Sequence, residues 1–135
     1  MKVKVGDKIP EWEMKSVSAD RMATMAAILR DPCPFHWDRD VVDKQFGIGK
    51  RTVNQGLVGI GYMVNMVHSW SGENSIKSMK MGFPVPLVLD DDHVIAKGEV
   101  IAVKPEENGQ LAECNIWLEK EGERLLDGMV SVFIS

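Results

Sequence analysis

The spacing of apolar residues changes along the chain, from a period near 3.6 in the first half to a period of 2 in the second. Met22, Met25, Ala26 and Leu29 recur at i, i+3, i+4 and i+7, the stripe of a helix with one buried face. Ser18 can cap its first turn, while Pro32 and Pro34 stop it, which predicts a helix from Ser18 to about Arg30. A shorter helix is expected from Pro34 or Phe35 to about Lys44, before a loop marked by Gly47 and Gly49. A second long helix is expected from about Asn54 to His68, with Leu57, Ile60, Val64 and Val67 on its apolar face. Gly56, Gly59 and Gly61 are unusual there, because glycine costs about 1 kcal/mol relative to alanine inside a helix. Close approach of the helix backbone to a curved sheet would explain them.

From Ser75 onward the pattern is that of strands. Ser75–Met81 and Val85–Leu89 flank Gly82 and Pro84, and His93–Val103, Leu111–Leu118 and Leu125–Ile134 are longer candidates. Leu126, Val130, Val132 and Ile134 fall mostly on one face of the last. Turns are expected at Pro105–Gly109 and Glu121–Glu123, and Val3–Ile9 reads as a short strand or a lead-in segment. A helical half followed by an antiparallel meander is an α+β arrangement, with the central helix covering one sheet face.

Composition narrows the class. At 135 residues and 15.1 kDa the chain reads as one domain, residues 1–135, large enough for a single core. A net charge of −4 argues against a nucleic-acid partner, which would require many cations. Lys77 and Lys80, or Lys50-Arg51, could serve a small phosphorylated ligand, or simply be solvated. Cys33 and Cys114 are too few for a metal cluster or a disulfide framework and read as thiols. The opening Met-Lys-Val-Lys-Val-Gly-Asp has no apolar stretch for export or membrane spanning, so a cytoplasmic location is expected.

The strongest chemical signal is Asp31-Pro32-Cys33-Pro34-Phe35-His36. Two prolines stiffen the loop between a carboxylate and an imidazole, and such a pair can bracket a water and move protons. The residues alone leave a plainer reading open, in which Asp31 receives backbone N–H bonds and His36 caps or packs. Phe35 or Trp37 could roof the pair. Gly56, at the first turn of the long helix, has an N–H without a helical partner. His68 near a helix end and His93 after three aspartates read as terminal or solvated groups. The methionines suit core packing or an acyl tunnel, and Trp117 suits an interface or a cross-strand contact.

The motif and the order of elements resemble the MaoC-like acyl dehydratase and (R)-specific enoyl-CoA hydratase family. Its hydratase motif runs Asp, any residue, Asn, Pro, aliphatic, His, and this chain has Asp31-Pro32-Cys33-Pro34-Phe35-His36, with Cys33 in place of the amide. Val53-Asn54-Gln55-Gly56 stands where the family often has a loop ending Ala-His-Gly, and Asp91–Val100 and Glu121-Gly122-Glu123 resemble its later strand and turn. The resemblance implies a single hot-dog domain, an antiparallel β-sheet wrapped around a central α-helix. It also implies hydration of trans-2-enoyl thioesters, or dehydration of 3-hydroxyacyl thioesters, by Asp31 and His36, with the Gly56 N–H holding the thioester oxygen. No metal or redox cofactor is implied, and coenzyme A or acyl carrier protein would carry the acyl group. A homodimer or higher homo-oligomer is implied. His36-Trp37-Asp38-Arg39-Asp40 resembles members linked to steroid side-chain degradation, which assemble with paralogous partner subunits. A weakly active or noncatalytic subunit and a hot-dog thioesterase are the alternatives.

Overall fold

The computed structural model describes residues 1–83 and 87–135. Strand β1 (Lys8–Met14) lies later than the expected Val3–Ile9. Residues 4–7 form a turn instead, with Asp7 accepting the Lys4 N–H and Gly6 at φ 91°. Pro10 cannot donate to a ladder, and the register slips between Ile9 and Trp12. Ser18 starts helix α1 (Ala19–Leu29) by accepting the Arg21 N–H. Met22 and Ala26 point inward, whereas Leu29 is exposed, so the buried stripe is narrower than the spacing predicts.

The expected helix from Pro34 to Lys44 is two pieces, a 3-10 turn (Pro34–His36) and α2 (Arg39–Phe46). They separate at Asp38, whose carboxylate accepts the N–H groups of Asp40 and Val41 and restarts the helix. The long helix α3 spans Gly56–Ser71 and buries Gly59, Tyr62, Met63, Met66 and Val67. Leu57 is 63% exposed, so the apolar face expected from Leu57, Ile60, Val64 and Val67 is rotated. A helix apolar on nearly every side does not choose its own face, and the sheet chooses it.

That sheet has the order β1-β3-β4-β5-β2, antiparallel throughout, with β2 (Ile76–Gly82), β3 (Val94–Glu106), β4 (Gly109–Lys120) and β5 (Glu123–Ile134). The meander expected of the second half holds for β3, β4 and β5. β2 instead crosses to the far side of β5, and β1 lies outside β3. Of the expected strand Val85–Leu89, residues 85 and 86 lie outside the described residues, and Leu89 forms an isolated bridge with Val53. The β4–β5 turn is tight because Glu121 and Gly122 both take positive φ, 50° and 81°. Register breaks that insert a residue in β1, β2, β3 and β5 curl the sheet, and α3 packs against all five strands.

The helix comes closest to the sheet at Gly59, where a Cβ would sit 2.6 Å from Leu126 Cδ1. At Gly56 a Cβ would meet the Phe83 ring at 2.7 Å, but at Gly61 it would meet nothing within 4 Å. The close-approach explanation therefore fails for Gly61. Among the described residues no helix is long and apolar enough to cross a membrane.

Cys114 lies fully buried on β4, and burial, helped by neighbouring Glu113, pushes its thiol up to about 12. Cys33 is only partly buried. With a thiol reagent at pH 8, the native protein should react through Cys33 alone, and the second equivalent should appear on denaturation. Equal reaction of both thiols in the native state would contradict this core.

Candidate active site

The end of α1 determines where Asp31 stands. Arg30 takes the left-handed conformation (φ 52°), the Asp31 N–H returns to the Ala26 carbonyl at 2.9 Å, and the Arg30 N–H returns to Ala27 at 3.3 Å. The chain is thereby turned back on itself just before Pro32. Asp31 Oδ1 then accepts the Cys33 N–H at 2.9 Å, which leaves Oδ2 to face outward from this turn. The 3-10 turn that follows carries His36 back, so that its Nε2 lies 3.4 Å from Asp31 Oδ2. The two residues that the sequence singled out are brought together.

The other imidazole nitrogen fixes the tautomer. His36 Nδ1 lies 2.6 Å from the Val53 carbonyl oxygen. A carbonyl only accepts, so Nδ1 carries the proton and the neutral ring presents a bare Nε2 toward Asp31. A bare Nε2 accepts a hydrogen bond, and a carboxyl group accepts one or, when protonated, donates one. A water between them can donate to Nε2 and keep a lone pair free for attack. The His36 side chain is 13% exposed and that of Asp31 30%, so the pair is reached from the Asp31 side. The expected aromatic roof does not form over it: Phe35 packs edge-on against Phe46 at 4.9 Å, and Trp37 is 53% exposed.

Residues 51–55 form a strap from this pair to the start of α3, held on both sides. Val53 donates to the Phe35 carbonyl at 2.7 Å, and Asn54 donates to Val88 at 2.6 Å. Gln55 Nε2 donates to the Met22 carbonyl at 2.8 Å. Asp90, 1% exposed, accepts the Thr52 N–H at 2.8 Å and pairs with Arg39 at 2.9 Å. Asp92 receives Arg51 and Lys120, each at 2.8 Å, and the Leu89 N–H. Burial works to raise the Asp92 pKa, but Lys120, the Leu89 N–H and Arg51 together outweigh it and hold the carboxyl below its usual range.

This network was not legible in the sequence, where the three aspartates before His93 read as a solvated turn. Its one signal was that run of acids beside a paired strand. His93 itself is half-exposed and lies 2.7 Å from Glu13. Arg51 is committed to Asp90 and Asp92, which removes Lys50-Arg51 as a phosphate site. Lys77 lies 5.6 Å over the Phe133 ring, and Arg124 lies over Trp117 at 4.0 Å.

Gly56 is the first residue of α3, directly beyond the strap. Its N–H and that of Leu57 have no acceptor among the described residues. The amide is thus available, as the sequence suggested, three residues from the carbonyl that holds His36.

Solved structures share this fold. A chain from the ChsH1-ChsH2 complex of Mycobacterium tuberculosis is 26% identical, with 100% of both chains covered and a TM-score of 0.80. The (R)-hydratase from A. caviae involved in PHA biosynthesis is 20% identical over 98% of both chains, with a TM-score of 0.83. A MaoC-like dehydratase reaches a TM-score of 0.83 at 17% identity, over 98% of this chain and 41% of that one. The chain has the hot-dog fold of the MaoC-like dehydratases and (R)-hydratases. Neither a protein-family model nor a curated protein matches the sequence. The sheet wraps around α3, as the resemblance implied.

Asp90→Ala would strip the acceptor from Thr52 and leave Arg39 unpaired, and should cost about 2–4 kcal/mol of unfolding free energy in urea. For Asp92 the sign follows from a depressed pKa. Its stabilising contribution is present above the usual carboxyl value of 3.8 and is lost as pH falls through the lower folded value. The stability gap between wild type and Asp92→Asn should therefore hold from pH 7 to about 4 and narrow only below that.

Proposed function

We propose that the protein hydrates trans-2-enoyl thioesters, or in reverse dehydrates 3-hydroxyacyl thioesters. The observation that carries this reading is the imidazole whose Nδ1 is tied to the Val53 carbonyl while Nε2 faces Asp31. A water held between Nε2 and Asp31 attacks C3. Its proton passes to Nε2, and charge moves through C2 onto the thioester oxygen, where the Gly56 N–H receives it. A preorganised donor of that kind contributes a few kcal/mol. With the second proton starting on Asp31, transfer to C2 completes the addition, and the pair keeps one proton for the next cycle. H and OH have been added across the double bond with no change of oxidation state in the enzyme, so no redox cofactor is needed. Coenzyme A or an acyl carrier protein would carry the acyl group.

In the loop, Cys33 offers its N–H to Asp31 and no side-chain amide. The structural likeness to a chain of the ChsH1-ChsH2 complex, along the full length of both, favours a second reading, in which the chain works with a paralogous partner. Both β1 and β2 are sheet edges, so a second copy or a paralogue could extend the sheet.

The purified protein should bleach the conjugated enoyl-thioester absorbance of an enoyl-CoA. Asp31→Asn and His36→Ala should each lower kcat by at least about 100-fold while retaining the wild-type melting curve. Wild-type turnover in both variants would overturn the roles of Asp31 and His36. Inactivity of the pure chain that is cured by adding a paralogous subunit would establish the second reading. Release of free thiol from a saturated acyl-CoA would point to a thioesterase.

A further inference from the structure

Asp90 reaches both sides of the contact that holds His36. Its Oδ1 accepts the Thr52 N–H at 2.8 Å, and its own N–H donates to the Thr52 carbonyl at 3.0 Å. Thr52 precedes Val53, whose carbonyl oxygen lies 2.6 Å from His36 Nδ1. Asp90 Oδ2 turns the other way, to Arg39 Nη1 at 2.9 Å. Arg39 opens α2 three residues after His36, and the same Nη1 donates to the Lys50 carbonyl at 3.2 Å. One carboxylate, 1% exposed, therefore joins the strap to the segment that carries the histidine.

Arg51 does not take the place of Arg39. Its Nε stands 3.6 Å from Asp90 Oδ1, and its Nη2 donates to the Asp90 carbonyl and to Asp92. Without Arg39, a buried carboxylate would lose its close cation, which is costly, and the strap would lose its tie to α2.

A neutral imidazole has one N–H and two nitrogens on which to carry it. The Val53 carbonyl claims that proton for Nδ1. Water favours the proton on Nε2, and so does the Asp31 carboxylate 3.4 Å from that atom, because bonds to charged acceptors are the stronger kind. The Val53 carbonyl prevails by close approach and alignment. If the strap drifts from the histidine, the proton passes to Nε2, which then donates where water activation needs an acceptor.

We propose that the Arg39–Asp90 ion pair positions the Val53 carbonyl against His36 and thereby sets the imidazole tautomer. Arg39 and Asp90 are positioning residues, and both act through His36. Their part in turnover rests on the hydratase reading, whereas their hold on the tautomer does not.

The test reads the His36 ring nitrogens by long-range 1H–15N correlation at about pH 8.5, where an ordinary imidazole is neutral. His36→Gln assigns the signals. The wild type should show a protonated Nδ1 and a bare Nε2. Asp90→Asn keeps an acceptor for Thr52 and removes the charge that pairs with Arg39. In that variant and in Arg39→Met, the Nε2–H form should become the major one. The double variant should shift no further than the larger single change, because both cut one bond. Lys44→Met, which removes an exposed cation from the same helix, should leave the wild-type spectrum.

With trans-2-octenoyl-CoA, both single variants should lower kcat by about tenfold or more and leave KM within about threefold of wild type. Arg39→Lys should recover most of the loss. Variants that melt earlier yet keep Nδ1–H would make the pair merely structural and overturn the proposal. A wild type with Nε2–H, or an Arg39→Met chain that does not fold, would overturn it too. Should Asp90→Asn alone fail to fold, Arg39→Met decides. If no thioester turns over in the wild type, the hydratase reading fails, and the spectra by themselves support or overturn the positioning role.

Discussion

α3 is apolar on almost every side, and a helix of that kind can be hidden from water only if the sheet bends around it. Register breaks in four of the strands bend it, and Gly59 lets the helix backbone settle against Leu126. Burial of apolar surface supplies the drive. Backbone hydrogen bonding restricts how the surface can be covered, because each strand must keep its ladder while the sheet curls. Once α3 is enclosed, its N-terminus is fixed in space, and the strap leading into it holds His36 through the Val53 carbonyl.

The site is assembled around that fixed end by polar groups rather than by packing. Asp90 fastens Thr52, and Val53 then offers its carbonyl to His36 and its N–H to Phe35. Asp31 arrives from the other direction, placed by the left-handed closure of α1 at Arg30. A buried carboxylate is tolerated here because its oxygens are occupied by a backbone N–H and arginines. The same network that hides charge holds the strap whose Val53 carbonyl meets His36 Nδ1.

Much of this was legible residue by residue. Ser18, Pro32 and Pro34 announced the limits of α1, and the alternation of Leu126, Val130, Val132 and Ile134 announced β5. Asp31 and His36 were visible because prolines restrict the few residues between them. Less was visible where two periods coincide: α3 offered several apolar faces, and the wrong one was the more regular. Asp90 and Asp92 looked like a solvated acidic run, since sequence shows a charge but not the cations folded against it.

The sequence by itself determined the α+β class, the helix and strand types and the catalytic candidates, because these depend on local spacing, caps and prolines. The tertiary structure decided which face of α3 is buried, that β2 lies beyond β5 rather than in the meander, and which carboxylates are paired. Those outcomes depend on contacts between residues far apart in the chain, such as Thr52 with Asp90, 38 positions away, and Val53 with His36, 17 positions away. Local patterning carries no record of such contacts, and only closure of the sheet around the helix brings them within hydrogen-bond reach.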